Sequence, residues 1–241
     1  MTTPLVSSVS PVLEAIGVTK RYRGGDGSAI DVLNGVDLAV TGGEMVAVIG
    51  ASGSGKSTFL HVLGALERPD AGTVFLGGAP TAEANDEQLA ELRNLRVGFV
   101  FQFHHLLKEF SALENVMMPL WIAERPMAEA KARAMELLER VGLGGRVHHR
   151  PSELSGGEQQ RAAVARALAL NPPVVLADEP SGNLDHQNAE LLHDLLLSLA
   201  TDFGVGVVVV THNRSLAERA HRVLHLEEGR LHPAPPSAGG V

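Results

Sequence analysis

The stretch GASGSGKST, Gly50–Thr58, has the residue types and spacing of a phosphate cradle. Gly50, Gly53 and Gly55, interleaved with Ser52 and Ser54, let the backbone fold around an anion, so that successive N–H groups and a helix N-terminus point at it. Lys56 adds a point charge suited to the β- and γ-phosphates of a nucleoside triphosphate, and the Ser57 hydroxyl can ligate Mg²⁺, with Thr58 closing the motif. A second chemical pair ends the run VVLADE, Val174–Glu179. An apolar strand finishing in two carboxylates puts Asp178 at the carboxyl edge of a sheet, where open α/β folds bind ligands. Asp178 there would hold Mg²⁺ and Glu179 would polarise a water. A Gly/Ser-rich turn and an ordinary acidic strand end are the plain alternatives, but both motifs together in one chain favour magnesium-dependent hydrolysis of a nucleoside triphosphate.

The elements that must carry these residues are legible as short β-branched runs at 36–40, 45–49, 97–101, 173–177 and 205–210. They alternate with helical patterns such as KSTFLHVLGAL, EQQRAAVARALAL and NAELLHDLLLSLA. Strands alternating with helices indicate an α/β fold with a mostly parallel sheet. Several runs are apolar at every position, as burial on both faces requires. GASGSGKST directly follows the strand MVAVI and precedes a helix, the placement a phosphate loop needs. Between about 85 and 165 helical patterns dominate, and Ser111 with Glu114 three residues on forms a capping box. We read this stretch as a helical subdomain inserted into a catalytic core spanning about 12–84 and 166–232, within a single domain. The Pro-, Ser- and Gly-rich ends, 1–10 and 233–241, are expected to be flexible.

The formal charge of −8 argues against a nucleic-acid surface. No cysteine is present, so disulfides and thiolate metal sites are excluded. The start MTTPLVSSVSPV lacks the features of a signal peptide, and the longest apolar run, VGVVVV, is far too short to span a bilayer. We therefore expect a cytoplasmic chain that meets a membrane only through a partner.

Between the two phosphate motifs lies LSGGEQQRAAVARAL, Leu154–Leu168. Gly156 and Gly157 immediately precede an amphipathic helix and so offer backbone N–H groups at a positive dipole end. With the loop at Gly50 before it and Asp178-Glu179 after it, the segment resembles the signature motif of ATP-binding-cassette (ABC) ATPases, and the order of motifs covers about residues 12 to 232. The resemblance implies a P-loop fold with a RecA-like core, an antiparallel β subdomain and an inserted helical subdomain, with ATP and Mg²⁺ as cofactors. It assigns Tyr22 to stacking on adenine, Gln102 to Mg²⁺ and the attacking water, and His212 to the γ-phosphate. Ser155, Gly156 and Gly157 would close over the γ-phosphate bound by a second copy of the chain, and Asp185 would lie at the seam of that dimer. Glu179, His212, Gln102 and Lys56 are then the catalytic residues. Asn213 and Ser181 stand where the family usually carries Asp and Thr.

The stretch FQFHHLL with the following ALENVMMPL resembles the ATPase subunits of bacterial lipoprotein-releasing systems, within a branch that includes macrolide exporters and cell-division ATPases. Lys108 replaces the proline usual in that pattern. The resemblance implies integral membrane permease partners and a peripheral position on the cytoplasmic face of the inner membrane. A soluble ABC ATPase of DNA repair or translation is disfavoured by the single cassette and the negative charge. Adjacent His104 and His105 would diverge and lack further ligands for a metal site, which leaves a packing role or a place in the pocket that grips the permease. Met117, Met118, Leu120 and Trp121 have helical apolar spacing and fit either core or interface.

Overall fold

The computed structural model describes residues 10–25 and 27–234. Its centre is a six-stranded sheet in the order β10-β9-β3-β8-β7-β6, built from β3 (Met45–Ile49), β6 (Val97–Phe101), β7 (Val174–Asp178), β8 (Gly206–Val210), β9 (Arg222–Glu227) and β10 (Arg230–Pro233). All neighbours pair in parallel except β10, which runs antiparallel to β9. Every residue of β8 is buried, as a central strand covered on both faces demands. Alternate residues of β3 serve different cores. Met45 and Ala47 join the apolar cluster that includes the helical block, whereas Val46 and Val48 join one with Phe59 and the second sheet.

That second sheet is antiparallel, with β1 (Leu13–Arg23), β2 (Ala29–Val40), β4 (Ala71–Leu76) and β5 (Ala79–Pro80) in the order β2-β1-β4-β5. The expected strand at 36–40 is the end of β2. Helix α1 (Lys56–Leu63) leaves the phosphate loop, and α2 (Asp86–Arg96) leads into β6. Helices α3 (Ala112–Ile122), α4 (Met127–Arg140) and α5 (Gly156–Ala167) pack on one another. The range 85–165 expected for the helical subdomain thus encloses a strand, β6, that hydrogen-bonds into the central sheet beside β7. Two further helices, α6 (His186–Thr201) and α7 (Arg214–Glu218), complete the core. Pro233 closes β10 opposite Leu224 rather than starting a free tail, and the rest of the expected flexible ends, 1–9 and 235–241, lies outside the described residues.

The loop between β6 and α3 is fastened from below by a fully buried asparagine, Asn115. Its Oδ1 accepts the Leu107 N–H at 2.7 Å, and its amide nitrogen faces the carbonyls of Leu107, Phe110 and Ser111 at 3.0–3.1 Å. Truncation would strand these groups away from water. Asn115→Ala is expected to cost about 2–3 kcal/mol, measured by denaturant unfolding, with the largest rise in hydrogen exchange at 106–111. Wild-type stability would show that water replaces the side chain.

Candidate active site

Four loops leave the carboxyl edge of the parallel sheet side by side. The register aligns Val48 with Val210, Val210 with Asp178, and Asp178 with Phe101 across four adjacent strands. The residues that follow are Gly50 and the phosphate loop after β3, Thr211 and His212 after β8, Glu179 after β7, and Gln102 after β6. Sheet topology therefore gathers residues scattered over more than 160 positions onto one edge.

The phosphate loop turns through Gly53 and Gly55 with positive φ, and Gly55 ends it at φ 94° directly before α1. A side chain at Gly55 would place its Cβ 2.5 Å from a Val32 methyl, so glycine is required there for space as well as conformation. Ser54 Oγ is buried without a hydrogen-bond partner. Ser52 is exposed at the lip of the loop. Lys56 Nζ donates to the carbonyls of Gly50 at 2.9 Å and Ala51 at 2.8 Å. The loop thus presents an orphan hydroxyl, the open end of α1 and an ammonium parked on its own backbone, a set that fits an anion with several oxygens.

Ser57, on the first turn of α1, faces the Asp178 carboxylate and offsets part of the effect of burial on it. Burial pushes the Asp178 carboxyl above its ordinary range, helped by the neighbouring Glu179 charge. Ser57, Asp178 and the amide oxygen of Gln102 are hard oxygen donors of the kind Mg²⁺ takes, incomplete without phosphate oxygens and water. Among the described residues no three His, Cys, Asp or Glu side chains are grouped to hold a metal unaided.

Glu179 sits in the left-handed region at φ 44°. Its N–H donates to Val210 O at 2.9 Å, and its carbonyl accepts the Gly182 N–H at 3.0 Å. Its carboxylate is held from the β8 loop. His212 Nδ1 lies 2.8 Å from Oε1, while the Thr211 hydroxyl and the His212 N–H each donate to Oε2 at 3.2 Å. Gln102 is fixed by Asn183, whose amide donates to the Gln102 carbonyl at 3.3 Å and whose Oδ1 accepts the Gln102 amide at 3.2 Å. Nothing in the sequence singles out Asn183 except its place in SGNLD.

Tyr22 lies one residue before the end of β1, its hydroxyl bonded to Glu67 and within reach of the Thr58 side chain. Lys20 lies 5.5 Å from the ring centre and 3.6 Å from Glu67. Tyr22 as a residue is 36% exposed, so its ring can offer a face next to the phosphate loop. Glu67, which anchors it, was not expected from sequence.

The signature residues lie elsewhere. Ser155 caps α5, its hydroxyl accepting the Glu158 N–H and its own N–H donating to Glu158 Oε2 at 2.7 Å. Asp185 caps α6 and also binds the Asn188 amide at 2.7 Å. A Cβ at Gly157 would come within 2.2 Å of the Asn188 side chain, so glycine lets the starts of α5 and α6 meet. Helix α5 runs back along β6, with Gln160 donating to Phe101 O. Its open end therefore projects beyond the same edge of the sheet, but three strand spacings, about 14 Å, separate β3 from β6. Ser155, Gly156, Gly157 and Asp185 form a second cluster, which the structure does not bring to the phosphate loop of the same chain.

Of the paired histidines, His104 turns inward to the Gly156 backbone, with burial lowering its pKa, and His105 sets its ring edge-on to Phe101 at 5.3 Å. Arg166 of α5 donates to both their carbonyls, at 2.9 and 2.7 Å. Met117 and Leu120 are core, whereas Trp121 is part-buried and lines a groove of about 670 Å³ with Glu109, Leu113, Met127 and Lys131.

Residues 33–182 match the sequence profile of the family described as ABC transporter. The lipoprotein-releasing system ATP-binding protein LolD of Geobacter metallireducens is 51% identical over 92% of this chain and 99% of its own length. LolD of Bordetella pertussis is 51% identical over 97% of the chain and 100% of its own. Among solved structures, the dimeric ATP-binding cassette MJ0796 bound to ADP and Pi superposes with a TM-score of 0.83 at 40% identity, covering 91% of this chain and 96% of that one. The chain belongs to the ABC transporter family, as one of its ATP-binding cassettes.

Proposed function

We propose that this cassette hydrolyses Mg²⁺-ATP between two head-to-tail copies of itself and powers the release of lipoproteins by permease subunits in a bacterial inner membrane. What carries the lipoprotein reading is 51% identity to LolD proteins that extends over nearly the full length of both chains. The hydrolytic chemistry rests on the aligned carboxyl edge. ATP sits with its phosphates in the loop Gly50–Thr58 and its adenine on Tyr22. Ser57, Asp178 and Gln102 are the residues that would hold Mg²⁺, which would supply neutralisation of the phosphate charge. Glu179 polarises the attacking water, and His212 keeps that carboxylate oriented while reaching the γ-phosphate.

The dimer follows from separation within one chain. The open N-terminus of α5 is an anion site that its own phosphate loop cannot reach, and a second copy turned head to tail meets both needs. ATP then joins the copies, and hydrolysis removes the contact that favours the closed state. No helix among the described residues is long and apolar enough to cross a membrane, which fits a peripheral subunit on the cytoplasmic face. The permease would seat on the loop after Gln102, where Phe103 is 64% exposed, and in the adjoining Trp121 groove.

Purification of the tagged chain from its own membranes in mild detergent is expected to bring down integral membrane permeases, and depletion in cells to leave lipoproteins in the inner membrane. Soluble protein alone, or normal lipoprotein sorting after depletion, would defeat the lipoprotein assignment without touching the ATPase.

A further inference from the structure

Ser181, two residues beyond Glu179, is buried, and so is the residue it faces, His193 in the middle of α6. The His193 Nε2 lies 3.0 Å from Ser181 Oγ. On the other side of the ring, Nδ1 lies 3.5 Å from Glu190 Oε1. Glu190 in turn accepts the Ser215 hydroxyl at 2.9 Å and pairs with Arg219, which also binds Asp194. Ser215 belongs to α7, the helix that starts two residues after His212.

The two loops joined by this chain of contacts are the two that hold Glu179. One carries its backbone in a left-handed turn that a non-glycine residue adopts only when its surroundings enforce it. The other grips its carboxylate through Thr211 and His212. We propose that His193 is a positioning residue for hydrolysis, tying the turn after Glu179 to the helix after His212 so that the carboxylate and its imidazole partner stay in register. This rests on the assignment of Glu179 as the water-polarising group.

The chemistry of the contacts supports a specific arrangement. A carboxylate opposite Nδ1 places the ring proton there, so Nε2 accepts and the Ser181 hydroxyl donates. Burial also lowers the pKa of His193, keeping the ring neutral. The order Ser–His–Glu matches that of a hydrolytic triad, but Ser181 is 6% exposed and His193 0%, so no substrate reaches the hydroxyl. Nδ1 has no hydrogen bond as it stands, and closing the gap to Glu190 takes a shift of only about 0.5 Å. Apolar Leu192 and Leu196 flank His193 on α6, and a side chain needed only to fill that space would be apolar and free of the desolvation cost of an imidazole.

The test is a cycle on the full-length chain, reading steady-state ATPase activity at saturating Mg²⁺-ATP, the KM for ATP, and thermal unfolding. His193→Phe fills the space without the contact, Ser181→Ala removes the other partner, and His193→Gln returns an acceptor of similar reach. Each of the first two is expected to lower kcat about fivefold with KM within twofold of wild type. The double variant should be no slower than the slower single, and His193→Gln should recover most of the rate. Wild-type kcat in His193→Phe, losses that multiply in the double variant, or a loss that follows unfolding temperature and is not rescued by Gln, would overturn the proposal. Should His193→Phe not fold, the same cycle is run with Ser181→Ala and Glu190→Gln, where independent losses overturn it equally. Glu179→Gln in parallel separates the two claims: if it keeps full turnover, the assignment of Glu179 has failed rather than the role of His193.

Discussion

Glu179→Gln is expected to reduce ATP turnover about a thousandfold while leaving ATP bound at least as tightly as in the wild type. The amide keeps the shape of the side chain and one acceptor oxygen, so Thr211 and the His212 N–H retain a partner where they now meet Oε2 at 3.2 Å. What is lost is the charge proposed to polarise water and receive its proton. Binding survives because Lys56, Ser57 and the loop N–H groups are untouched. Replacing the carboxylate also removes the like charge beside Asp178, one of the causes that hold its carboxyl above the ordinary range. The variant should therefore accumulate as an ATP-bound dimer that does not open. Light scattering during gel filtration in Mg²⁺-ATP would show twice the monomer mass for the variant, and the monomer for wild type after turnover. Unchanged turnover would remove Glu179 from the reaction, and low turnover with a monomer throughout would instead place its role before closure.

The chemistry was legible in the sequence because its motifs are local. A phosphate loop needs its glycines, Lys56 and Ser57 within a few residues, and a strand that ends in Asp178-Glu179 announces itself by apolar run length. The central strands β3, β6, β7 and β8 could be placed for the same reason. Strand β1 could not, since it carries Thr19, Lys20 and Arg21 on a partly exposed sheet and its alternation is broken by register shifts around Gly17. Residues that brace the site escaped for a different reason: their meaning lies in partners far along the chain. Asn183 binds Gln102 across 81 positions, Arg166 reaches the carbonyl of His104 across 62, and Glu67 anchors Tyr22 across 45. Periodicity and spacing carry no trace of such pairings; only the sheet order brings them together. The paired histidines show the limit most clearly, because their backbone, held by Arg166, does as much as their rings.

Lys56→Ala is expected to weaken ATP binding about thirtyfold, with an effect that scales with the number of phosphates. An ammonium about 4 Å from a phosphate charge near a protein surface gains roughly 4 kcal/mol. Against this, Lys56 gives up the carbonyls of Gly50 and Ala51, on which it rests at 2.9 and 2.8 Å, each worth about 1 kcal/mol net. The difference, about 2 kcal/mol, corresponds to a loss of roughly thirtyfold. Folding should suffer little, since Ala51 is exposed and water can reach its carbonyl. Arginine is no substitute, because its planar fork cannot occupy the compact position of an ammonium inside the loop. Calorimetric titration of ATP, ADP and adenosine into both proteins separates this account from a general collapse of the site. Charge pairing predicts a large loss for ATP, a smaller one for ADP, and none for adenosine, whose base would meet only Tyr22 in the proposed binding mode. An equal loss for all three would show that Lys56 holds the loop in shape through the Gly50 and Ala51 carbonyls, and that its charge contributes little to recognition.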